Sequence, residues 1–177
     1  RNLNLDEHVA LFWLGKDIER KSDLPPGLIN YYERLIQSPV ALIGRTNEGV
    51  FSKLFDPKST VIDLSGLGLI KIVLSPLKNC HSLEALDLSN NLLESINLSA
   101  FRELANFRVI NLSNNNIKEI NLEPLGVCHC LYELDLSENN LSKLSLEPIK
   151  NCSILRKIKL NNNSLKKIEL DALTNLS

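Results

Sequence analysis

The sequence has no apolar run as long as the roughly 18 residues that a membrane-spanning helix requires, and it has almost no net charge. Lysine and arginine together number 20 and aspartate and glutamate 21, which gives a formal net charge of -1. A chain so close to neutral sets up no long-range field that would attract nucleic acid or an anionic membrane surface. Neither nucleic acid nor a membrane is therefore expected as a partner.

Chemically reactive groups are also scarce. The histidines lie far apart in the sequence, at His8, His81 and His129. Gly44 and Gly49 have the spacing of a phosphate-binding loop, but Val50 and Phe51 stand where that motif needs Lys and Ser or Thr. No serine-nucleophile or zinc-protease motif occurs. The sequence therefore predicts no catalytic residues and no cofactor, and the protein is not expected to be an enzyme.

What dominates the sequence is a 24-residue repeat that continues without a break from residue 59 to residue 177. Its clearest copy begins LEALDLSNNLLESINL at Leu83. The copies start at Ser59, Leu83, Phe107, Leu131 and Leu155. A fixed period of this length means that one unit cannot bury its apolar side alone and must stack on its neighbours. We therefore predict a solenoid over residues 59–177, with one rung for each copy of the repeat.

Each rung is predicted to contain a short strand, a bend and a helical turn. Alternation such as Leu86-Asp87-Leu88 is the period-2 signature of a strand, and stacked strands form a parallel sheet. An asparagine follows each strand at the bend, where its amide can satisfy buried backbone groups. These residues are Asn91, Asn115, Asn139 and Asn163, whereas Leu67 holds the place in rung 1.

The return segments open with Ser, Glu or Asp followed by Pro or Ala, a pattern that favours a short helical turn with a Ser or Asp cap. One apolar residue of each turn is expected to point inward: Leu77, Phe101, Leu125, Ile149 and Leu173. Strands on one side and wider turns on the other predict a curved stack, with the parallel sheet on the concave face and the short helical turns on the convex face. This is an α/β architecture.

The cysteines favour a reducing compartment. Cys80, Cys128 and Cys152 share one repeat position, where the second copy has Leu104. A residue that alternates with leucine is used as a small buried hydrophobe. We therefore predict that all four thiols, including that of Cys130, are free and react slowly until the protein unfolds. The sequence Cys128-His129-Cys130 lacks the spacing of a zinc knuckle, so no metal site is expected.

The pattern LxxLxLxxNxL recurs in register at Leu83, Phe107, Leu131 and Leu155, and with a degenerate first copy it covers residues 59–177. The sequence therefore resembles the leucine-rich repeat family, and its 24-residue period is like that of the family's "typical" class. The resemblance implies a protein-binding solenoid. Extracellular members of that class commonly carry cysteine-rich flanking caps, which this sequence lacks. We expect a cytoplasmic protein.

The first 58 residues differ in composition and hold six of the nine aromatic residues. We predict a mainly helical N-terminal cap over residues 1–58, with helices from about Asn4 to Arg20 and from Leu28 to Gln37. Val40–Ile43 fits a short strand, and residues 50–55 fit either a helix or a strand.

Function is predicted to lie on the outward positions of the strands. Asp63, Asp87 and Asp135 share one column there, and a solvated ladder of acids accounts for them better than acid–base catalysis does. Tyrosine and arginine are enriched at binding hot spots, and they occur with both signs of charge on the last three rungs. The predicted contact residues for a protein partner are Arg108, Tyr132, Glu133, Asp135, Arg156, Lys157 and Lys159.

Three functional interpretations stay open at this point. The first is a non-enzymatic protein-binding module, the second a regulatory or structural segment of a larger enzyme or signalling protein, and the third a GTPase-regulating repeat protein. Leu165, Ile168 and Leu170 would lie on an uncapped rung edge near Ser177. Because solenoids need terminal caps for solubility, we expect the native chain to continue or this edge to be covered by another molecule, including a second copy.

Overall fold

The computed structural model describes residues 40–168, which form two β-sheets and a series of short 3-10 helices. The strands in chain order are β1 (Val40–Thr46), β2 (Gly49–Phe55), β3 (Val61–Asp63), β4 (Leu69–Val73), β5 (Ala85–Asp87), β6 (Val109–Asn111), β7 (Glu133–Asp135) and β8 (Lys157–Lys159). The 3-10 helices are η1 (Ser75–Asn79), η2 (Ser99–Glu103), η3 (Glu123–Val127) and η4 (Glu147–Ile149). Over these residues, no helix is long and apolar enough to cross a membrane.

One strand from each rung joins a five-stranded parallel sheet in the order β3-β5-β6-β7-β8. The register advances by one repeat at every step, so Ile62 pairs with Leu86, Leu86 with Ile110 and Ile110 with Leu134. These four side chains are at most 1% exposed, whereas their sequence neighbours point to the opposite side of the sheet. The parallel sheet predicted from the period-2 alternation is confirmed, and its register is that of the repeat.

The core lies between the sheet and the 3-10 helices. The inward residues predicted on the helical turns, Leu77, Phe101, Leu125 and Ile149, are completely buried. Phe101 packs edge to face on Phe107 with ring centroids 4.6 Å apart, an arrangement that aromatic pairs prefer. The predicted turn around Leu173 lies outside the described residues.

The helical turns are confirmed, but the serine caps predicted for them are wrong; the cap predicted at Asp171 lies outside the described residues. None of the four 3-10 helices has a side-chain hydrogen bond from its cap residue, and a leucine occupies that position in each. In η2 and η3 a polar contact comes instead from the asparagine one residue before the cap. Asn97 Oδ1 accepts from the Ser99 N–H at 2.8 Å, and Asn121 Oδ1 accepts from the Glu123 N–H at 2.9 Å. An Asx turn thus opens these helices because asparagine oxygens bond readily to the backbone two residues on.

The prediction of a mainly helical N-terminal cap is not supported. Its described part, residues 40–58, contains two strands, and the predicted helices fall outside the described residues. β1 and β2 form an antiparallel hairpin with Thr46 paired to Gly49, and β1 also pairs with β4 of rung 1. The Val, Ile and Phe side chains of this segment favour a pleated, half-buried surface over a helix.

The hairpin also explains the glycine pair that resembles a phosphate loop. Gly44 lies within β1 and Gly49 begins β2 with φ of 140°, on either side of the hairpin loop. A Cβ on Gly44 would stand 2.5 Å from the Lys71 carbonyl oxygen, so a side chain there would separate β1 from β4. Both glycines therefore serve backbone geometry.

The four asparagines at the bends link consecutive rungs. Asn91 Oδ1 accepts from the N–H groups of Leu67 and Leu69 at 3.0 Å, and its Nδ2 donates to the carbonyls of Leu64 and Leu88 at 2.9 Å. Asn115, Asn139 and Asn163 repeat two of these bonds 24, 48 and 72 residues further on, accepting from the N–H equivalent to Leu69 and donating to the carbonyl equivalent to Leu64, both in the rung before their own. Each amide thus satisfies backbone groups that the bend leaves without a ladder partner.

Candidate functional site

The outward side of the five-stranded sheet carries the residues in which function was predicted. We call it the sheet face and define it by four columns that run across the rungs. The columns are Thr60, Glu84, Arg108, Tyr132 and Arg156; Val61, Ala85, Val109, Glu133 and Lys157; Asp63, Asp87, Asn111, Asp135 and Lys159; and Ser65, Ser89, Ser113, Ser137 and Asn161. The second and third columns pair directly from strand to strand, so neighbouring side chains stand about 4.8 Å apart.

Local hydrogen bonds fix the acidic column. Asp63, Asp87 and Asp135 each accept from the N–H of the serine two residues on, at 2.9, 2.8 and 3.0 Å. Asn111 makes the same bond to Ser113. The recurring sequence Asp/Asn-Leu-Ser therefore encodes an Asx turn that ends β3, β5, β6 and β7. This signal was readable in the sequence and was missed, because the aspartates were considered only as a ladder of acids.

On the last two rungs the charges pair with one another. Lys159 Nζ lies 2.8 Å from Glu133 Oε1 and 3.0 Å from Asp135 Oδ2, and Lys157 Nζ lies 3.4 Å from Glu133 Oε2. Lys157 Nζ also lies 5.8 Å from the ring centroid of Tyr132, within range of a cation–π contact. Five of the predicted contact residues therefore form one cluster, which we call the charged cluster: Tyr132, Glu133, Asp135, Lys157 and Lys159.

Three members of the charged cluster, Glu133, Asp135 and Lys159, are held in their ionised forms. A hydrogen bond from Lys159 lowers the pKa of Glu133. Burial of Asp135 acts to raise its pKa, but hydrogen bonds from Ser137 and Lys159 outweigh burial and lower it. The two carboxylates in turn raise the pKa of Lys159. Side chains held in the charged form on both sides do not exchange protons near neutral pH, so the cluster suits binding better than general acid–base chemistry.

The two arginines lie at the margin of the charged cluster. Arg156 donates from Nη1 to the backbone carbonyls of Ser153 and Leu155 at 3.2 and 3.3 Å. Arg108 is exposed, and its backbone carbonyl accepts from the N–H groups of Tyr132 and Glu133. The structure thus places both arginines in the column of Tyr132 without joining their side chains to the ion pairs.

The histidines and cysteines do not converge on a site within residues 40–168. No group of three His, Cys, Asp or Glu residues there could hold a metal ion. All four thiols are free, with Cys80, Cys128 and Cys152 buried and Cys130 half-buried. The Cys128 thiol donates to the Phe101 carbonyl at 3.4 Å. Burial, assisted by the neighbouring thiols, raises the pKa of Cys128 to about 12, so its reactive thiolate is suppressed.

One backbone feature beside the sheet face was not predicted. The residue before each bend asparagine has a left-handed conformation, with φ of 57° at Asn90, 52° at Asn114, 54° at Glu138 and 57° at Asn162, and Gly66 before Leu67 in rung 1 has φ of 66°. Gly and Asn adopt this conformation readily, but Glu does not. The signal was the recurrent Asn-Asn pair, and Glu138 is where the sequence departs from it.

Comparison with known proteins identifies the repeat. A family model described as leucine rich repeat matches residues 59–123 and 130–177, more than half of the chain. No curated protein matches the chain in sequence.

Solved structures of repeat proteins share the fold. Internalin C2 of Listeria monocytogenes is 24% identical, with a TM-score of 0.56 over 68% of this chain and 49% of its own. A chain of the BIR3–SERK2 complex of Arabidopsis thaliana is 28% identical, with a TM-score of 0.56 over 65% and 64%. A leucine-rich repeat protein of Leptospira interrogans is 28% identical, with a TM-score of 0.58 over 68% and 30%. The chain therefore spans less than two thirds of each of these proteins.

Proposed function

Because the chain belongs to the leucine-rich repeat family, we propose that it is a non-enzymatic protein-binding module whose partner docks on the sheet face. The observation that carries the proposal is the charged cluster around Tyr132, which stands on paired strands of a parallel sheet. Side chains held in place before binding lose little conformational entropy when a partner docks. The similar Arabidopsis chain was solved in a complex with another protein, which is consistent with this use of the fold.

We place the contact around Tyr132, with Arg108 and Arg156 in the same column. Tyrosine and arginine combine large contact areas with polar ends, and they dominate binding hot spots. Both signs of charge are present in the cluster, so a polar protein surface or peptide fits it better than a lipid does. The full set of proposed contact residues is Arg108, Tyr132, Glu133, Asp135, Arg156, Lys157 and Lys159.

The test compares what wild-type and variant proteins capture from cells. Tyr132→Ala and Arg156→Ala each remove a side chain that the core does not use, so folding should be nearly unchanged. Each substitution should weaken the binding free energy of a verified partner by about 1–3 kcal/mol, the range of binding hot spots. His129→Ala is a matched control, because His129 is exposed in the return segment of the neighbouring rung.

The affinity of the purified pair is then measured by calorimetry. A partner that is weakened by both sheet-face variants and retained by His129→Ala supports the proposal. A partner that binds the sheet-face variants as tightly as wild type, or that is lost with His129→Ala, contradicts it.

We also propose that the protein works in the cytoplasm. The support is the set of four free cysteines, three of which are buried in the core. Such thiols persist where glutathione and thioredoxin keep them reduced. Fractionation of the source cells, followed by thiol labelling before and after reduction, tests the assignment. Recovery outside the cytoplasm, or labelling that rises after reduction, would refute it.

A further inference from the structure

The sheet face carries an apolar column on its first three rungs. Val61, Ala85 and Val109 pair in register across β3, β5 and β6, on the opposite side of the sheet from the buried Ile62 and Leu86. Val61 is 61% exposed, so most of its side chain contacts solvent. The core does not use this column, and rungs 4 and 5 carry Glu133 and Lys157 at the same place.

Carboxylates lie on both sides of this apolar column. Asp63 and Asp87 follow it along the strands, and Glu84 precedes it. In the part of the chain that the structure describes, none of these three carboxylates has a lysine or arginine within ion-pair distance. Hydrogen bonds from the backbone and side chain of Ser65 lower the pKa of Asp63 and keep it charged. The positive charge of Lys53, which is not in an ion pair with Asp63, adds a weaker electrostatic interaction that also lowers the pKa of Asp63.

The other end of the sheet face is different in kind. Glu133 and Asp135 are paired with Lys157 and Lys159, so a partner gains little by adding a further cation there. The carboxylates without an ion pair among the described residues therefore lie beside the apolar column and not in the charged cluster.

We infer that the column Val61, Ala85 and Val109 docks a basic, aliphatic peptide segment of the protein partner. An aliphatic side chain of the segment covers the column, and flanking Lys or Arg side chains face Asp63, Glu84 and Asp87. The small side chains of Ala85 and Val109 allow the segment to approach closely. Three strands span about 10 Å, enough for two alternate side chains of an extended peptide, which lie about 7 Å apart. This inference rests on the proposed function and specifies its partner.

The direct test uses synthetic peptides and the full 177-residue chain labelled for NMR. The probes are three acetylated and amidated peptides with the cores Lys-Leu-Lys-Leu-Lys, Glu-Leu-Glu-Leu-Glu and Lys-Ser-Lys-Ser-Lys. The first should shift the resonances of Val61, Ala85 and Val109 in a saturable manner that weakens with salt. The second should leave them unchanged, and the third should bind roughly tenfold more weakly.

Two variants separate the parts of the site. Val61→Ser removes the most exposed apolar side chain of the column. Asp63→Asn with Glu84→Gln removes two charges, and the amide at position 63 keeps the Asx turn because Asn111 makes that turn naturally. Each variant should weaken the Lys-Leu peptide by roughly tenfold, and the unchanged far-ultraviolet circular dichroism spectrum serves as the check on folding.

Equal binding of the Glu-Leu peptide, shifts confined to Tyr132 and Lys159, or no shift at millimolar peptide would overturn the inference. Binding of the captured partner to Tyr132→Ala and to Val61→Ser distinguishes failure of this inference from failure of the proposed function. If Tyr132→Ala weakens the partner and Val61→Ser does not, the proposed function stands and the docking column is wrong. If neither substitution weakens it, both are wrong.

Discussion

Lys159 donates to Asp135 across the last two described strands, with Nζ 3.0 Å from Oδ2. The aspartate is 7% exposed and already accepts from Ser137 through its other oxygen. A carboxylate with so little contact with water depends on these bonds to remain charged. The pair therefore links the stability of rungs 4 and 5 to pH.

The first prediction concerns that link. Because the pKa of Asp135 is lowered on folding, its charged form stabilises the fold above the unfolded pKa of about 3.9, and this contribution is lost as the pH falls through the folded pKa. Asp135→Asn keeps the Asx turn but loses the ion pair. The variant should be less stable than wild type at pH 7, and the difference should shrink towards pH 3. Urea unfolding at both values measures it.

Asp87→Asn is the matched control for this substitution. Asp87 lies in the same column but faces Asn111, which donates from Nδ2 to Asp87 Oδ2 at 3.0 Å. The control should lose less stability at neutral pH than Asp135→Asn does. A difference between wild type and Asp135→Asn that grows on acidification would contradict the role given to the ion pair.

A second prediction concerns the asparagine ladder. Asn115→Leu removes the acceptor of the Leu93 N–H and the donor to the Leu88 and Leu112 carbonyls. Buried backbone groups left without partners cost about 1–3 kcal/mol each, so the variant should lose about 3 kcal/mol or more in urea unfolding. Leucine is tolerated at position 67 because no earlier rung requires an amide there. Asn161→Ala, on an exposed side chain, should change stability by less than about 0.5 kcal/mol.

The left-handed column gives a third prediction. Glu138 has φ of 54° where the neighbouring rungs have Asn, and left-handed backbone costs an ordinary residue about 1–2 kcal/mol. Glu138→Asn should therefore stabilise the protein by about 0.5–1 kcal/mol. Glu138→Val should destabilise it, because β-branched residues tolerate this conformation least. Thermal unfolding of the pair decides the matter, and a stabilising Val or a destabilising Asn would be inconsistent with backbone strain.

The thiols give a fourth prediction. Cys130 is half-buried, while Cys80, Cys128 and Cys152 are buried and burial raises the pKa of each. With a chromogenic disulfide reagent at pH 8, one thiol should react quickly and three only after urea is added. For Cys130 alone this prediction differs from the slow reaction that the sequence predicts, because its thiol is half-buried. Cys128→Ala should cost about 1–2 kcal/mol as a small core truncation. Three fast thiols in the folded protein would contradict the packing described.

The repeat made most of the fold predictable, because a period that fixes which residues are buried also fixes the strand register. The positions of Leu86, Asn91 and Phe101 all follow from it. The hairpin could not be predicted with equal ease. Residues 40–55 are not repeated in the sequence, so a second copy cannot show whether their short apolar runs are strands or helices. In addition, β1 is stabilised by pairing with β4, which lies more than 20 residues later in the sequence and is not visible in a local pattern.

The sheet face was predictable in part. The columns follow from the register, but the pairing of Lys159 with two carboxylates depends on side-chain rotamers that the pattern does not determine. The αL position of Glu138 was hidden for another reason. A glutamate in a sequence does not indicate a left-handed backbone, because glutamate disfavours that conformation. At position 138 the surrounding fold imposes it nevertheless.

The asparagine hydrogen bonds imply an order in which the rungs of the solenoid are completed. Asn91 completes the bend of rung 1, Asn115 that of rung 2, Asn139 that of rung 3 and Asn163 that of rung 4. A ribosome makes the chain from the N-terminus, so each of these bends is completed only by an amide that is added 22 residues later. During synthesis the newest rung always carries backbone groups in need of partners, and each later rung relieves the one before it. Assembly from the hairpin outwards is therefore built into the order of the sequence.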